Sequence, residues 1–301
     1  MSEIKDTKGA FQLRGIISNL NGNAKGFGFE EGTVEKGKSA GKKYRRIRFN
    51  VKTSNANNIP VELFGMEKDN VYFYSKKYKK SQKIAWNNRF NNIQDYEYIL
   101  SEYDLIEKIK DEFKDDSSVF VNGEFQFSEY SNQNNEVVNQ TRYIIKSVYG
   151  TNSILTQESL NDENFVEENS FQQDIIIDSI DNIDGEPLYI NAFTHDFKGL
   201  HKTTFQIVRN KESVNMIRNF MTLRYGDFIR VIGKINHLVE KIEVESDWGK
   251  GEPIINVNKS LEILGANAES LERKKYSEDD LNFMQVDDLS EEKELGFSLN
   301  T

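Results

Sequence analysis

The stretch VNGEF at residues 121–125 returns as VIGKI at residues 231–235, 110 residues further along the chain. Both copies lie in runs rich in β-branched and aromatic residues, which favour β-strands. Three strand-like runs and a helical stretch precede each copy, and one strand-like run follows it. Because the same order surrounds both copies, the sequence predicts an internal duplication.

The clearest strand pattern of the first half is found in residues 46–52. Ile47, Phe49 and Val51 fall on one face, and three positive charges fall on the other, as a half-buried strand requires. A single apolar stripe predicts a helix over residues 99–114. The predicted strands of this half are residues 11–18, 46–52, 59–64, 118–127 and 142–148.

The second half repeats this order of elements. Its predicted strands are residues 174–180, 188–194, 203–209, 228–239 and 254–264, with a tight turn at residues 184–185. A short helix between the third and fourth strands has its apolar face at Val214, Ile217, Phe220 and Met221. Five strands with a helix after the third is the order of the OB-fold. The sequence therefore predicts an all-β chain with minor α content, built from two tandem five-stranded OB-fold barrels.

The repeat also divides the chain into segments. The first barrel is predicted at residues 9–152, with an insertion at about residues 66–98 that the second barrel lacks. An acidic linker at residues 153–170 precedes the second barrel at residues 171–266. Residues 267–301 are predicted to form an acidic C-terminal tail that is disordered on its own.

Charge is divided very unevenly along the chain. Residues 1–92 hold 19 of the 39 Lys and Arg residues but only 8 of the 49 Asp and Glu residues, a net charge of +11 against −21 for the rest. A chain that is acidic overall but concentrates positive charge in one segment is expected to meet a polyanion there.

Several classes of protein are excluded or disfavoured. With no cysteine, the chain has no disulfide, thiolate-bound metal or cysteine nucleophile. We found no phosphate-binding loop, no nucleophile elbow and no calcium-loop spacing, and His195 and His201 are better explained as surface residues of a hairpin than as metal ligands. We predict a cytoplasmic, non-enzymatic protein with no cofactor, no metal and no membrane partner.

The insertion carries the densest mixture of cations and rings, at residues 71–89. Single-stranded nucleic acid requires both, since cations replace the counterions of the phosphates and flat rings stack on unpaired bases. The alternative is that the rings are core and the lysines only solubilise them. The predicted contacts here are the rings Tyr72, Tyr74, Tyr78 and Trp86 and the cations Lys76, Lys77, Lys79, Lys80, Lys83 and Arg89.

A second basic cluster, at residues 36–46, is predicted to form the loop between the first two strands and to continue into the second strand. In OB-folds this loop is one of those that grip oligonucleotides. The predicted contacts in this region are Lys42, Lys43, Tyr44, Arg45, Arg46 and Arg48. Weaker candidates are Lys25, Phe27 and Phe29, whose stretch is similar to the ribonucleoprotein motif of cold-shock domains but is better explained as a glycine-rich turn.

The strands at 45–52 and 59–65, the insert at 72–80, the duplicated barrel and the acidic tail together resemble the tandem OB-fold single-stranded-DNA-binding proteins of tailed phages of Gram-positive bacteria. The resemblance implies a protein that coats single-stranded DNA during replication or recombination, with little sequence preference. The acidic tail, in which Phe283 and Phe297 are interspersed, predicts docking of replication or recombination proteins, and the alternative is an end that only adds solubility. The less basic second barrel is expected to bind weakly or to mediate protein contacts.

Two alternatives from other functional classes stay open. An RNA-binding regulator could use the same groove and would be distinguished by competition between matched DNA and RNA. The chain could also be an OB-fold adaptor protein whose basic segment binds an acidic partner protein. In that case no oligonucleotide binding is expected.

Overall fold

The computed structural model describes residues 5–131, 137–242, 245–246, 249–250 and 254–281. These residues are mostly β-structure, with three short α-helices and one 3-10 turn among them. Phe283 and Phe297, the predicted docking residues of the tail, lie outside the described residues. None of the described helices is both long and apolar enough to cross a membrane.

Every predicted strand and both predicted helices are present. The strands are β1 (Gly9–Ser18), β2 (Gly28–Thr33), β3 (Lys43–Lys52), β4 (Asn58–Met66), β5 (Asn70–Ser75), β6 (Lys80–Ala85), β7 (Glu97–Ile99), β8 (Ser118–Ser131), β9 (Val137–Gly150), β10 (Asn169–Asn182), β11 (Leu188–Asp196), β12 (Gly199–Ile207), β13 (Phe228–Ile242), β14 (Glu245–Ser246), β15 (Gly249–Lys250) and β16 (Ile254–Glu272). The helices are α1 (Glu102–Glu112), α2 (Gln157–Leu160) and α3 (Val214–Phe220), and the 3-10 turn is Trp86–Asn88. Among these, β2, β5, β6, β7, β14, β15, α2 and the 3-10 turn were not predicted.

The chain folds into two compact units. The larger unit comprises residues 1–16, 51–59 and 118–301, and the smaller unit comprises residues 17–50 and 60–117. β1, β3 and β4 contribute residues to both units.

A closed ring of five strands forms the centre of the larger unit. Its order is β10, β11, β12, β16, β13 and back to β10, with β12 and β16 parallel and the other pairs antiparallel. α3 lies between the third and fourth strands of the ring in the sequence. Ile175, Ile190, Phe205, Val231 and Ile263 are buried side chains of the ring strands.

The repeated stretch contains one glycine in each copy, and the two glycines have the same environment. Gly123 on β8 lies opposite Phe11 on β1, and Gly233 on β13 lies opposite Phe171 on β10. Each glycine also sits beside a register shift with its other neighbouring strand. A Cβ at Gly123 would lie 2.2 Å from the Phe11 ring, and one at Gly233 would lie 2.0 Å from the carbonyl oxygen of Glu262. The phenylalanine rings therefore fill the space that a side chain would need.

The smaller unit holds the run β4–β3–β2 and a separate three-stranded sheet in the order β6–β5–β7. The separate sheet is the structure of the predicted insertion. α1 begins at the N-cap Ser101, whose hydroxyl accepts a hydrogen bond from the amide of Asp104. Its apolar stripe is buried at Ile106 and Ile109, which confirms the predicted helix.

The chain segments before and after the five-stranded ring contribute buried side chains to the larger unit. In the predicted linker, Leu155 and Leu160 are buried against Ile16. β16 continues to Glu272, past residue 266, where the sequence suggested that the second barrel ends. Beyond it, Tyr276 and Leu281 are buried in a cluster with Ile176.

Candidate nucleic-acid interface

The three-stranded sheet of the insertion has one buried face and one exposed face. Along the central strand β5, Val71 and Phe73 point into the core, whereas Tyr72 and Tyr74 are 53% and 38% exposed. This alternation is the ordinary period of a strand. The alternation places both tyrosines next to each other on the solvent-exposed face of the sheet.

Register with the flanking strands determines what surrounds the two tyrosines. Tyr72 lies between Lys83 of β6 and Ile99 of β7, and Tyr74 lies between Ser81 and Glu97. Directly opposed residues of antiparallel strands share a face. We call this surface, made by Tyr72, Tyr74, Lys83 and their neighbours in register, the tyrosine face.

The buried face of the sheet explains why the insertion is ordered. Val71, Phe73 and Trp86 pack with Tyr103 of α1 in one apolar cluster. Asp104 of α1 accepts hydrogen bonds from Arg89, at 3.0 Å, and from the hydroxyl of Tyr98, at 2.6 Å. Burial, and then the hydrogen bond to Asp104, raise the pKa of Tyr98. These contacts hold the sheet on α1, and the tyrosine face points away from them.

The turn between β5 and β6 carries the remaining predicted lysines of the insert. Lys76 pairs with Glu97 at 3.0 Å and Lys77 with Asp95 at 2.9 Å, and the Tyr78 hydroxyl donates to Asp95 at 3.2 Å. The hydrogen bond with Asp95 raises the pKa of Lys77. Among the described residues, Lys79, Lys80 and Lys83 make no ion pair, and all three are exposed.

The outward side of β3 and β4 forms a second surface, which we call the arginine face. Tyr44 stacks on Phe64 with ring centroids 5.7 Å apart, and its hydroxyl donates to Glu30. Arg46 lies 3.4 Å from Glu62. The Arg48 guanidinium sits 4.8 Å from the centre of the Phe27 ring.

Three of the predicted contacts are corrected by the structure. Trp86 is only 8% exposed, so bases cannot stack on it, and the quenching of its fluorescence by bound DNA is not expected. Arg89 lies over the Trp86 ring at 4.0 Å and bonds Asp104 with a side chain 16% exposed. Arg45 donates to both carboxylate oxygens of Glu107 at 3.0 Å and is 13% exposed. Both arginines stabilise α1 instead of facing solvent.

The second basic cluster lies between β1 and β3, the first two predicted strands, but an additional strand, β2, precedes it and pairs with β3. Before β2, Lys25 and Gly26 form a turn in which the Phe27 backbone N–H donates to the Ala24 carbonyl oxygen at 3.1 Å. In the basic cluster Lys42 pairs with Asp69 at 3.0 Å, and Lys43 is exposed. Among the weaker candidates, Lys25 is exposed, and Phe29 lies 4.1 Å from the ammonium of Lys110.

Sequence reasoning missed two exposed rings of the smaller unit. Phe64 is 47% exposed and Phe90 is 69% exposed. The exposure of Phe64 could have been predicted from the alternation of side chains along β4, because the apolar residues of the opposite face, Ile59, Val61 and Leu63, are buried. Phe90 follows the 3-10 turn, where no periodic pattern marks which side chains are exposed.

His195 and His201 lie in the β11–β12 hairpin but are buried, not surface residues as predicted. His195 and His201 are 9% and 7% exposed, and His201 lies 3.0 Å from Asp196. Within the part of the chain that the structure describes, no group of three His, Asp or Glu side chains could hold a metal ion.

Comparison of the sequence with models of known protein families identifies one family. A model of the YorF family matches residues 19–295, which is most of the chain. The chain belongs to the YorF family. The search of the curated proteins found no match for this YorF-family chain.

Two crystal structures of the single-stranded-DNA-binding protein from Thermus aquaticus are similar in structure to this YorF-family chain. The wild-type protein is 9% identical with a TM-score of 0.44, and the match covers 91% of this chain and 96% of that one. A deletion mutant is 10% identical with a TM-score of 0.42, and the match covers 89% and 95% of the two chains.

Proposed function

We propose that this protein binds single-stranded DNA with little sequence preference and coats it during replication or recombination. The observation that supports this most directly is the tyrosine face. Two exposed rings lie on the central strand of a sheet held by a buried core, with a lysine directly opposite one of them. Such a surface offers stacking and charge in one place.

The spacing of the two tyrosines suits an extended strand. Residues two apart on one face of a strand are separated by about 7 Å. Tyr72 and Tyr74 can therefore each take a separate base, at a gain of about 1–3 kcal/mol per base. The bases of a duplex are stacked on one another, so rings at this spacing favour single strands.

Phosphates would be held by the exposed cations around the rings. Lys43, Lys79, Lys80 and Lys83 are exposed, and Arg48 lies on the arginine face. The other proposed phosphate contacts, which exchange their carboxylate partner for a phosphate on binding, are Lys42, Arg46, Lys76 and Lys77. The proposed stacking residues are Tyr44, Tyr72, Tyr74 and Tyr78.

We further propose that the chain is built from two OB-folds. The ring β10–β11–β12–β16–β13 follows the order 1-2-3-5-4 of a five-stranded Greek-key barrel. The duplicated glycine environment supports a matching barrel formed by the first half. The domain boundaries, the phage-type resemblance and the docking of partner proteins on the tail stay predictions.

The experiment compares the wild-type chain with the double variant Tyr72→Ala/Tyr74→Ala. Fluorescence anisotropy with labelled poly-dT is expected to show an affinity loss of at least about thirtyfold, since two stacked bases are lost. For the wild type, log K should fall with log salt with a slope near −4 if about six phosphates are neutralised.

Tyr149→Ala is the matched control, because Tyr149 is a 58% exposed ring of β9 in the larger unit. It is expected to bind poly-dT like the wild type. Equal binding by the double variant, or tighter binding to duplex DNA, would contradict the proposal. Tighter binding to matched RNA would favour the regulator, and the absence of any binding would favour the adaptor protein.

A further inference from the structure

The hairpin between β11 and β12 presents an aromatic ring at its tip. Phe197 lies in the turn between Asp196 and Gly199 and is 84% exposed, the highest value among the large hydrophobic side chains that the structure describes. Turn positions are usually filled by Gly, Asn, Asp, Pro or Ser. A phenylalanine there exposes apolar surface without contributing to the core.

The turn that carries this ring is held in place by Asp196. The Asp196 carboxylate accepts hydrogen bonds from the backbone N–H of Lys198, at 2.8 Å, and lies 3.0 Å from the His201 ring. Burial on its own would raise the pKa of Asp196, but the hydrogen bond with His201 and that from Lys198 outweigh it, and the pKa is lowered. A turn fixed in this way presents the Phe197 ring with little freedom to lose on binding.

Cations and a second ring lie on segments next to the turn. The Lys198 ammonium is 5.8 Å from the centre of the Phe197 ring. The backbone N–H of Lys202 donates to Glu129 at 3.1 Å, which brings the end of β8 to the start of β12. The residue after Glu129 is Tyr130, which is 50% exposed. The carboxylates of Asp196 and Glu129 both accept backbone N–H groups, and the Lys202 ammonium lies 3.8 Å from Asp178, which a phosphate would replace on binding.

From this arrangement we infer a second single-strand contact on the larger unit, in which a base stacks on Phe197 and Lys198 and Lys202 hold the adjacent phosphates. The inference rests on the proposed function and deepens it, because it gives the second half of the chain a direct part in binding. A protein partner would need a contiguous apolar patch. Phe197 is flanked by Asp196 and Lys198, so an isolated flat base fits better.

The test uses Phe197→Ala and Phe197→Tyr in the full chain, with Ile183→Ala as the control. Ile183 is 55% exposed just after β10, so its loss removes apolar surface outside the hairpin. Binding is measured by anisotropy with oligo-dT of about 8 nucleotides, within the range of one OB-fold site, and of about 40 nucleotides.

Phe197→Ala is expected to weaken binding of the long oligonucleotide by between about fivefold and about a hundredfold, as the loss of one stacked base predicts. The short oligonucleotide should bind unchanged, since the tyrosine face accommodates it. Phe197→Tyr and Ile183→Ala should bind like the wild type. Photocrosslinking of iododeoxyuridine in the long oligonucleotide should map to Phe197.

If Phe197→Ala binds both lengths like the wild type and no crosslink maps to the hairpin, the inference is wrong and the proposed function stands. The inference is also wrong if Phe197→Tyr is as weak as Phe197→Ala, because a flat ring would then not suffice. A wild-type chain that binds neither length overturns the proposed function as well. Thermal unfolding of each variant confirms that the fold is intact.

Discussion

The cations of the smaller unit separate into two kinds that look alike in the sequence. Arg45 and Arg89 are largely buried and bonded to carboxylates of α1, whereas Lys80 and Lys83 are exposed. The guanidinium is planar and weakly hydrated, so it is the cation that pairs and stacks inside a structure, while lysine keeps its charge in water. Residue type therefore carries information that a count of charges discards.

The two glycines of the repeated stretch are positions where a single methyl group would disturb the packing of two strands. A Cβ at Gly233 would lie 2.0 Å from the Glu262 carbonyl oxygen and 2.7 Å from the Phe171 ring. We expect Gly233→Ala to lower the free energy of unfolding by about 2–4 kcal/mol, because strand backbone and a packed ring must both move. Urea unfolding followed by circular dichroism measures this.

Gly265→Ala is the matched control for that substitution. Gly265 lies on the neighbouring strand β16, and a Cβ there would meet no atom within 4 Å. Its free energy of unfolding should stay within about 0.5 kcal/mol of the wild type. Equal losses for the two variants would mean that close approach is not the reason for the repeated glycine.

Among the elements, the sheet β5–β6–β7 was the hardest to predict. Buried and exposed side chains alternate along β5, but both of its faces carry apolar or aromatic residues. The sequence therefore lacks the alternation of apolar and polar residues that marks a half-buried strand. β6 is exposed over almost its whole length and reads as a polar loop. The strands form because Val71, Phe73 and Trp86 meet Tyr103 of α1, a contact between residues distant in the sequence.

The edge strand β6 provides a test of the electrostatic part of the interface. We expect Lys80→Ala/Lys83→Ala to make the slope of log K against log salt shallower by about 1.4, from about 0.7 per phosphate on single strands. Anisotropy titrations over a range of salt concentrations measure the slope. Because both lysines are exposed, the stability of the fold should not change.

The control for this pair is Lys211→Ala/Lys259→Ala, which removes two exposed lysines of the larger unit. Its salt slope should equal that of the wild type. If both pairs shift the slope equally, the effect comes from net charge and not from contacts at β6.

For the molecule as a whole, the uneven charge suggests competition between the acidic C-terminal residues and DNA. Residues 282–301 hold five acidic residues and one lysine. A chain ending at Leu281 keeps Tyr276 and Leu281 in the core, which a chain ending at residue 266 would lose. We expect the chain ending at Leu281 to bind poly-dT more tightly at low salt, and the difference to vanish at high salt because salt screens charge.

A full-length variant whose five carboxylates in this segment are replaced by amides separates charge from bulk. It should bind as tightly as the shortened chain. Weaker or unchanged binding by both chains would show that the segment does not compete with DNA.

The sequence by itself determined the ten predicted strands, the two longer helices, the repeated stretch and the location of the positive charge. Those properties follow from local periodicity and composition, which each segment carries alone. The tertiary structure decided that Trp86, Arg45 and Arg89 support α1 and that Tyr72 and Tyr74 face solvent. It also explained the glycine of the repeated stretch, because Phe11 and Phe171 reach Gly123 and Gly233 only when distant strands pair. Whether a side chain is buried depends on which segments of the chain pack together. The residue pattern within one segment does not show which other segment it will pack against.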